Sequence, residues 1–232
     1  MRQPLIKRVV AEALGMFFLL AAVVGSGIMA ERLGGGNTAL ALLANTAATG
    51  AALVALIISF GPISGSHFNP VVTLSFALRG DLFWRDVPCY LLAQFLGGIG
   101  GVMAANLMFG LPAVFLSNHP RTGMAQLFSE FVATLGLVSV ILAASRSHVA
   151  VIAIAVGAYI SAASWFTAST SFANPAVTVA RALSDTFAGI RPIDAPGFVL
   201  AQLAGGVAAK VLFGWLMPTQ IDERNKQISQ AN

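Results

Sequence analysis

The segments SGSHFNPVVTL, residues 64–74, and STSFANPAVTV, residues 169–179, are near copies of each other, and their reading decides the fold. Proline lacks a backbone N–H and restricts the residue before it, so Asn-Pro continues a helix badly, whereas proline suits the first turn of a new one. Each copy therefore reads as a loop that ends at Asn69 or Asn174 and opens a short helix. Only about ten helix-compatible residues follow before Arg79-Gly80-Asp81 or Ser184-Asp185, too few to cross a hydrocarbon core of about 30 Å. Two such half-helices entering from opposite faces add up to one crossing. In a bilayer, broken elements of this kind are tolerated only where they are buried in protein or line a watery path. Two of them imply a pore.

Composition supplies the surroundings. Charged residues make up 9% of the chain and the apolar set 57%, against roughly 25% charged in soluble domains. This is a polytopic membrane protein. With 232 residues and about 20 per crossing, six spans account for nearly everything, near 8–30, 37–60, 85–109, 126–145, 148–168 and 197–217. Residues 1–232 thus form a single transmembrane channel domain. The first apolar run is long enough to span and no small-residue cleavage site follows a shorter one, so it reads as a retained helix. The net charge of +4 comes mostly from Arg and Lys near the ends of apolar segments and forms no basic stripe, which gives no support for nucleic-acid binding. Cys89 is the single cysteine, which rules out an intrachain disulfide and a Cys-based metal cage. Three scattered histidines with one cysteine provide neither a metal set nor a nucleophile with its base, so no catalytic residue, metal or cofactor is expected.

The halves repeat, with repeat one over about 8–109 and repeat two over about 126–217. Glu12 in VVAEALGMFFL matches Glu130 in LFSEFVATLGL, Asn69-Pro70 matches Asn174-Pro175, and Gln94 in YLLAQFLGG matches Gln202 in FVLAQLAGG. Three spans per half is an odd number, so the second copy inserts upside down, an inverted repeat. Arg2, Lys7, Arg8, Arg79, Arg85, Arg146, Arg224 and Lys226 fall on one side and Arg32, Arg121 and Arg191 on the other, which predicts both termini in the cytoplasm.

Each half-helix presents an N-terminus carrying roughly +0.5 elementary charge to the membrane centre, where it repels cations. Asn69 and Asn174 can cap these helices while their side-chain N–H groups donate to a passing hydroxyl oxygen. Extended backbone at Gly65, Ser66, His67 and Phe68, and at Thr170, Ser171, Phe172 and Ala173, offers a ladder of carbonyl acceptors. Neutral hydroxylated solutes suit such a path.

Two Asn-Pro boxes at this spacing, a membrane Glu early in each half and an Ala-Gln pair opening each third span together resemble the major intrinsic protein (aquaporin) superfamily over essentially the whole chain. The resemblance implies an all-α membrane protein of six transmembrane helices plus two re-entrant half-helices. These form an aquaporin-like bundle in the lipid bilayer, usually a homotetramer with one pore per subunit. It also implies midplane boxes at Asn69, Pro70, Val71 and Asn174, Pro175, Ala176. A narrower selectivity ring lies on the extracellular side, and counting along ungapped stretches puts it at Thr49, Ala162, Ser171 and Val177. Water channels of the family typically carry an aromatic residue, a histidine and an arginine there, and glycerol facilitators generally keep the arginine.

Replacing that guanidinium by Val177, with small residues at the other places, predicts a wider, neutral opening and weaker exclusion of cations and protons. Arg181 lies about a turn further along the half-helix, where it is expected to pair with Asp185. Val71 stands where alanine is usual and is expected to pack across the midplane against Ala176. With one valine inside the first box and another directly after Asn174-Pro175-Ala176, the chain most resembles bacterial aquaglyceroporins of arsenic-resistance operons, in the inner (plasma) membrane. Those pass undissociated arsenite, antimonite and methylated arsenicals. A passive channel for these solutes, glycerol and water is the reading adopted, with a water-selective aquaporin or an ion-coupled transporter as alternatives.

Other polar residues carry two readings each. Glu12 and Glu130 either couple transport to protons or accept backbone N–H bonds from the re-entrant loop of their own half. His67 is either a pore-facing donor or a packed residue whose carbonyl matters. His148, in the short loop before the fifth span, is either a pH gate or a solvated interfacial side chain.

Overall fold

In lipid, only segments that satisfy their own backbone hydrogen bonds cross the membrane, so the long apolar runs become helices. The computed structural model describes residues 3–217, and Arg2, Arg224 and Lys226 of the charge argument lie outside them. The helices are α1 (Leu5–Leu33), α2 (Thr38–Ser64), α3 (Pro70–Leu78), α4 (Val87–Met108), α5 (Met124–Ala144), α6 (Val149–Phe166), α7 (Pro175–Arg181) and α8 (Ala195–Leu216). All but α3 and α7 are long and apolar enough to span. The edges read from the sequence are met to within a few residues. With 9 and 7 residues, α3 and α7 rise roughly 14 and 11 Å, so neither crosses alone. Asn37 caps α2 by accepting from Leu40 N at 3.1 Å, and Gly65, at φ 91°, ends it in the left-handed region that glycine tolerates.

Packing in one half has its counterpart in the other. Helix α1 packs on α4 and α2, α5 packs on α8 and α6, and α2 meets α6 between the halves. Helix α7 lies against α4 and α3 against α8, so each half-helix also touches the last long helix of the other half. The α1–α4 approach depends on glycine: a Cβ on Gly97 would sit 2.2 Å from Ala13 O, and one on Gly101 2.2 Å from Phe17 O. Helices in lipid gain nothing from hydrophobic exclusion between them, so close backbone approach at small residues carries their association. Outward faces stay apolar, with Leu92, Leu96, Leu200, Val207 and Val211 exposed, as a lipid-facing surface requires.

The end of the bundle where α1 begins is the proximal face, and the end where α1 finishes is the distal face. The segment 109–123, between α4 and α5, folds over the distal face. Phe115 N donates to Leu183 O (3.2 Å), Ser117 N to Ala182 O (3.0 Å), and Arg191 N to His119 O (2.9 Å). This pairing brings Arg121 to the mouth of the central cavity.

Candidate functional site

Asn69 and Asn174 adopt almost the same backbone, φ −161° and −159°, and do two jobs each. As caps, Asn69 Oδ1 accepts from Val71 N at 2.9 Å, and Asn174 Oδ1 from Ala176 N at 3.0 Å and Val177 N at 3.3 Å. As clasps, Asn69 Nδ2 donates to Ala173 O and Asn174 Nδ2 to Phe68 O, both at 2.7 Å. A carboxamide has two N–H donors, so one on each remains for the central cavity, which both residues line.

The backbone leading to each Asn differs from the extended ladder expected. Gly65, Ser66 and Phe68 have φ of 91°, 49° and 46°, and Thr170, Ser171 and Ala173 have φ of 60°, 52° and 48°. Left-handed residues other than glycine cost roughly 1–2 kcal/mol each, so the loops need strong anchors. Two ladder assignments are also revised. The carbonyls of Phe68 and Ala173 accept the clasp bonds, and Ala173 is fully buried away from the cavity. Gly65, Ser66, His67, Phe68, Thr170, Ser171 and Phe172 do line it.

The anchors are the membrane carboxylates. Glu12 Oε1 accepts from Ser64 Oγ (2.7 Å) and His67 N (2.9 Å), and Oε2 from Phe68 N and Gln94 Nε2, both at 2.8 Å. Glu130 Oε1 accepts from Phe172 N (2.9 Å), and Oε2 from Ala173 N (2.8 Å) and Gln202 Nε2 (2.6 Å). Each glutamine also donates to a half-helix threonine, Gln94 to Thr73 Oγ1 at 2.9 Å and Gln202 to Thr178 Oγ1 at 2.8 Å. All four carboxylate oxygens therefore accept hydrogen bonds, which favours the structural reading of Glu12 and Glu130 over proton coupling. Ser64, Ser169, Thr73 and Thr178 escaped the sequence reading. Their signal was there, because they are identical letters at matching places of the two segments.

His67 is both cavity-lining and packed. It lines the cavity while Nδ1 lies 3.1 Å from Thr73 Oγ1 and the ring packs on Phe76 and Tyr90, with centroids 4.7 and 5.3 Å away. His148 is the N-cap of α6, with Nδ1 accepting from Ala150 N at 3.3 Å.

The cavity encloses about 750 Å³ and runs from Ser145, Ser147 and Val149 at the proximal face to Glu31, Thr38 and His119 at the distal face. Thr49, Ser171 and Val177 line it; Ala162 does not. Ala162 is exposed on the outer side of α6, whose inner face carries Val149, Ile152, Val156, Ile160 and Ser164 at helical spacing. Gly50 of α2 abuts Gly157 and Ser161, so the residue of α6 facing inward near Thr49 is Ile160. Helix α6 ends at Phe166, and the non-helical stretch that follows, left-handed at Thr170, Ser171 and Ala173, breaks the register between Asn174 and the helix. The cavity lining beside Thr49 and Val177 is therefore apolar on the α6 side, with Ile160 in place of the small residue expected. Ser171 contributes backbone, since its Oγ is buried without a partner.

Val71 is a further correction. Its side chain clusters with Val138, Leu142 and Ala209 on α5 and α8 and does not join the cluster that holds Ala176. Gly206 makes the room, because a Cβ there would lie 2.1 Å from Val71 Cγ1.

Two arginines occupy the distal mouth. Arg181 does not pair with Asp185, which accepts instead from Asn118 N at 2.8 Å and Nδ2 at 2.9 Å; these bonds hold its carboxyl below the usual range. Arg181 turns toward the cavity, donates through Nε to Ala188 O and stacks on Phe172, its guanidinium carbon 3.4 Å from the ring centroid. Arg121 reaches the same ring from segment 109–123, at 4.9 Å. Its Nε donates to Gly189 O (2.8 Å) and its Nη1 to Ser169 O (3.1 Å) and Thr170 Oγ1 (3.4 Å). Desolvation pulls Arg121 down to about 10, which leaves it charged at neutral pH. Burial pushes the Asp194 carboxyl up, but bonds from Arg191 and from Arg121 N outweigh this and hold it below its ordinary value.

The family profile described as Major intrinsic protein matches residues 1–148 and 144–232. Aquaglyceroporin AqpS of Rhizobium meliloti (strain 1021) is 57% identical over 213 residues, which cover 92% of this chain and 91% of that relative. Aquaporin NIP1-4 of Oryza sativa subsp. japonica is 32% identical over 212 residues, 88% of this chain and 74% of the relative. The X-ray structure of the aquaglyceroporin from Plasmodium falciparum matches with a TM-score of 0.73 at 18% identity, covering 90% of this chain and 96% of that one, a likeness of fold alone.

Proposed function

The chain belongs to the major intrinsic protein family, and from that premise we propose that it is a passive channel of aquaglyceroporin type for small neutral solutes. Glycerol, arsenite, antimonite, methylated arsenicals and water are its permeants. The observation that carries this reading is a cavity running from face to face whose inner level, at Thr49, Ile160 and Val177, bears no charge. Neutral molecules cross such a level at the cost of exchanging a few water hydrogen bonds, whereas an ion loses its hydration shell without replacement. A water-selective channel is disfavoured by the same residues, which lack the aromatic, histidine and arginine set. An ion-coupled transporter is disfavoured by Glu12 and Glu130, whose oxygens are occupied by loop N–H groups and partner side chains.

In this reading residues 1–232 are one channel domain of two inverted repeats, about 8–109 and 126–217. The boxes at Asn69, Pro70, Val71 and Asn174, Pro175, Ala176 form the midplane, and the protein is a homotetramer in a bacterial inner membrane with both termini cytoplasmic. The distal mouth then faces outward. The assignment to arsenic chemistry rests on Val71 and Val177 together, the pair of departures that resembles aquaglyceroporins of arsenic-resistance operons.

The test is uptake of glycerol, arsenite and a methylated arsenical into proteoliposomes without any ion gradient, native protein against Val177→Arg, with water and proton flux followed in the same vesicles. Solute uptake in the native protein that Val177→Arg sharply reduces is expected. Uptake of water alone would make this an unusual water channel, and solute movement only under an ion gradient would overturn the channel.

A further inference from the structure

The uncharged Thr49, Ile160 and Val177 line the inner part of the cavity, but cationic charge stands nearer the distal mouth. Arg121 and Arg181 lie on one aromatic ring, that of Phe172, and both line the cavity. They arrive from different parts of the chain. Arg181 closes the half-helix α7, while Arg121 is delivered by segment 109–123, pinned by its own N–H to Asp194 Oδ2 (2.9 Å) and by its side chain to the carbonyls of Gly189 and Ser169.

Among the described residues no salt bridge involves either guanidinium. The acids around them are engaged elsewhere: Asp194 with Arg191, Asp185 with Asn118, and Glu130 with the loop N–H groups and Gln202. Glu31, at the end of α1, lines the same mouth as an exposed side chain, and the buried Glu130 attracts both guanidiniums through space without pairing with either. Arg181 is only 6% exposed. Burying a cation without a salt-bridge partner at membrane depth is expensive, and a side chain that does so calls for a use. Like-signed charge in a low-dielectric mouth concentrates its field along the path and changes the local concentration of ions about tenfold or more.

Resting on the passive-channel reading above, we propose that Arg121 and Arg181 form a second, outer selectivity element that excludes small cations, including hydronium and ammonium, in place of an arginine at position 177. Neutral solutes pass the pair and then meet the uncharged ring; cations are turned back before the helix dipoles at the midplane act on them. Arg121 is the specificity-determining half of the pair, because it also fixes the loop carbonyls on which the mouth is built.

The experiment follows glycerol uptake together with methylammonium and proton influx, under an imposed inside-negative potential, in proteoliposomes of the full chain. Arg121→Gln and the double variant Arg121→Gln/Arg181→Gln keep donors but lose charge. In variants that still pass glycerol, cation influx relative to glycerol uptake is expected to rise about tenfold or more, and Arg121→Lys is expected to keep the barrier. His119→Glu leaves both arginines in place and adds a carboxylate at the mouth; it is expected to raise cation influx too, and this arm stands even where the glutamine variants fail to fold. Cation influx unchanged relative to glycerol uptake in the glutamine variants that still pass glycerol, or in His119→Glu where none of them folds, overturns the proposal. A native protein that fails to pass glycerol would instead sink the channel reading, which keeps the two failures apart.

Discussion

Asn69 and Asn174 each donate their side-chain N–H to the carbonyl that precedes the other, at 2.7 Å in both directions, so the two half-helices form one clasped unit. Replacing Asn174 by alanine removes the cap on Ala176 N and Val177 N and orphans the carbonyl of Phe68. Together these should cost about 2–4 kcal/mol. Asn69→Ala should cost a similar amount, and the double variant should differ from the sum by about 0.5 kcal/mol or more, because the clasp fails as a unit. Thermal unfolding in detergent reads all three, and strictly additive losses would mean that the boxes hold independently.

Gly206 and Gly98 occupy matching places in α8 and α4 but face different neighbours. A Cβ on Gly206 would lie 2.1 Å from Val71 Cγ1, whereas one on Gly98 would meet nothing closer than 3.4 Å, from Met16 Cε. Gly206→Ala should therefore destabilise by about 1–3 kcal/mol through overpacking, and Gly98→Ala should be close to neutral. Val71→Ala should rescue Gly206→Ala in the same unfolding measurement, and failure to rescue would show that the strain is not at Val71.

Features set by chemistry within a segment were legible in the sequence. Hydropathy located the six spans, Asn-Pro located the half-helices, and the matched Glu12 and Glu130, Gln94 and Gln202 pointed to the scaffold that holds the loops. The misses share a cause. The count that gives Ala162 runs through the non-helical stretch before Asn174, whose left-handed residues Thr170, Ser171 and Ala173 have no signature in their letters. Val71 was assigned a partner across the midplane because the space left by Gly206 belongs to another helix. Arg121 looked like a loop residue, since its position depends on segment 109–123 pairing with residues 182–191, a tertiary contact between stretches that share no pattern.

Ile160 and Ala162 differ by two residues and face opposite ways, Ile160 into the cavity and Ala162 outward, so substitutions at the two positions show which of them bears on selectivity. Ile160→Ala should widen the level of Thr49 and Val177 and raise uptake of a bulky polyol relative to glycerol, and Ile160→Trp should depress both. Ala162→Leu, on the exposed side of α6, should leave the ratio unchanged. Paired uptake rates in proteoliposomes check this; a ratio that follows position 162 would return the ring to that residue.

Asp185 fastens the distal cover through Asn118, and the two N–H bonds lower its carboxyl pKa. A depressed carboxylate contributes stability above its unfolded value, about 3.9, and loses it only as pH falls through the lower folded value. Segment 109–123 should accordingly resist pepsin down to the ordinary carboxylate range and become cleavable below it. Asn118→Ala should make it cleavable at a higher pH. Equal pH profiles for the two proteins would show that this contact does not hold the cover down.

Glu130 accepts from Phe172 N, Ala173 N and Gln202 Nε2, so Glu130→Gln leaves one oxygen for three donors and points a further N–H at them. Each buried donor left unpaired costs about 1–3 kcal/mol, and the left-handed turns at Thr170, Ser171 and Ala173 lose the anchor that offsets their strain. The variant should unfold at lower temperature and pass glycerol more slowly, while neither it nor the native protein accumulates solute against a concentration gradient when a proton gradient is applied. A coupled transporter predicts the reverse pattern: uphill accumulation in the native protein, abolished in Glu130→Gln with downhill flux retained. That result would reassign the carboxylate from holding the loop to carrying the proton.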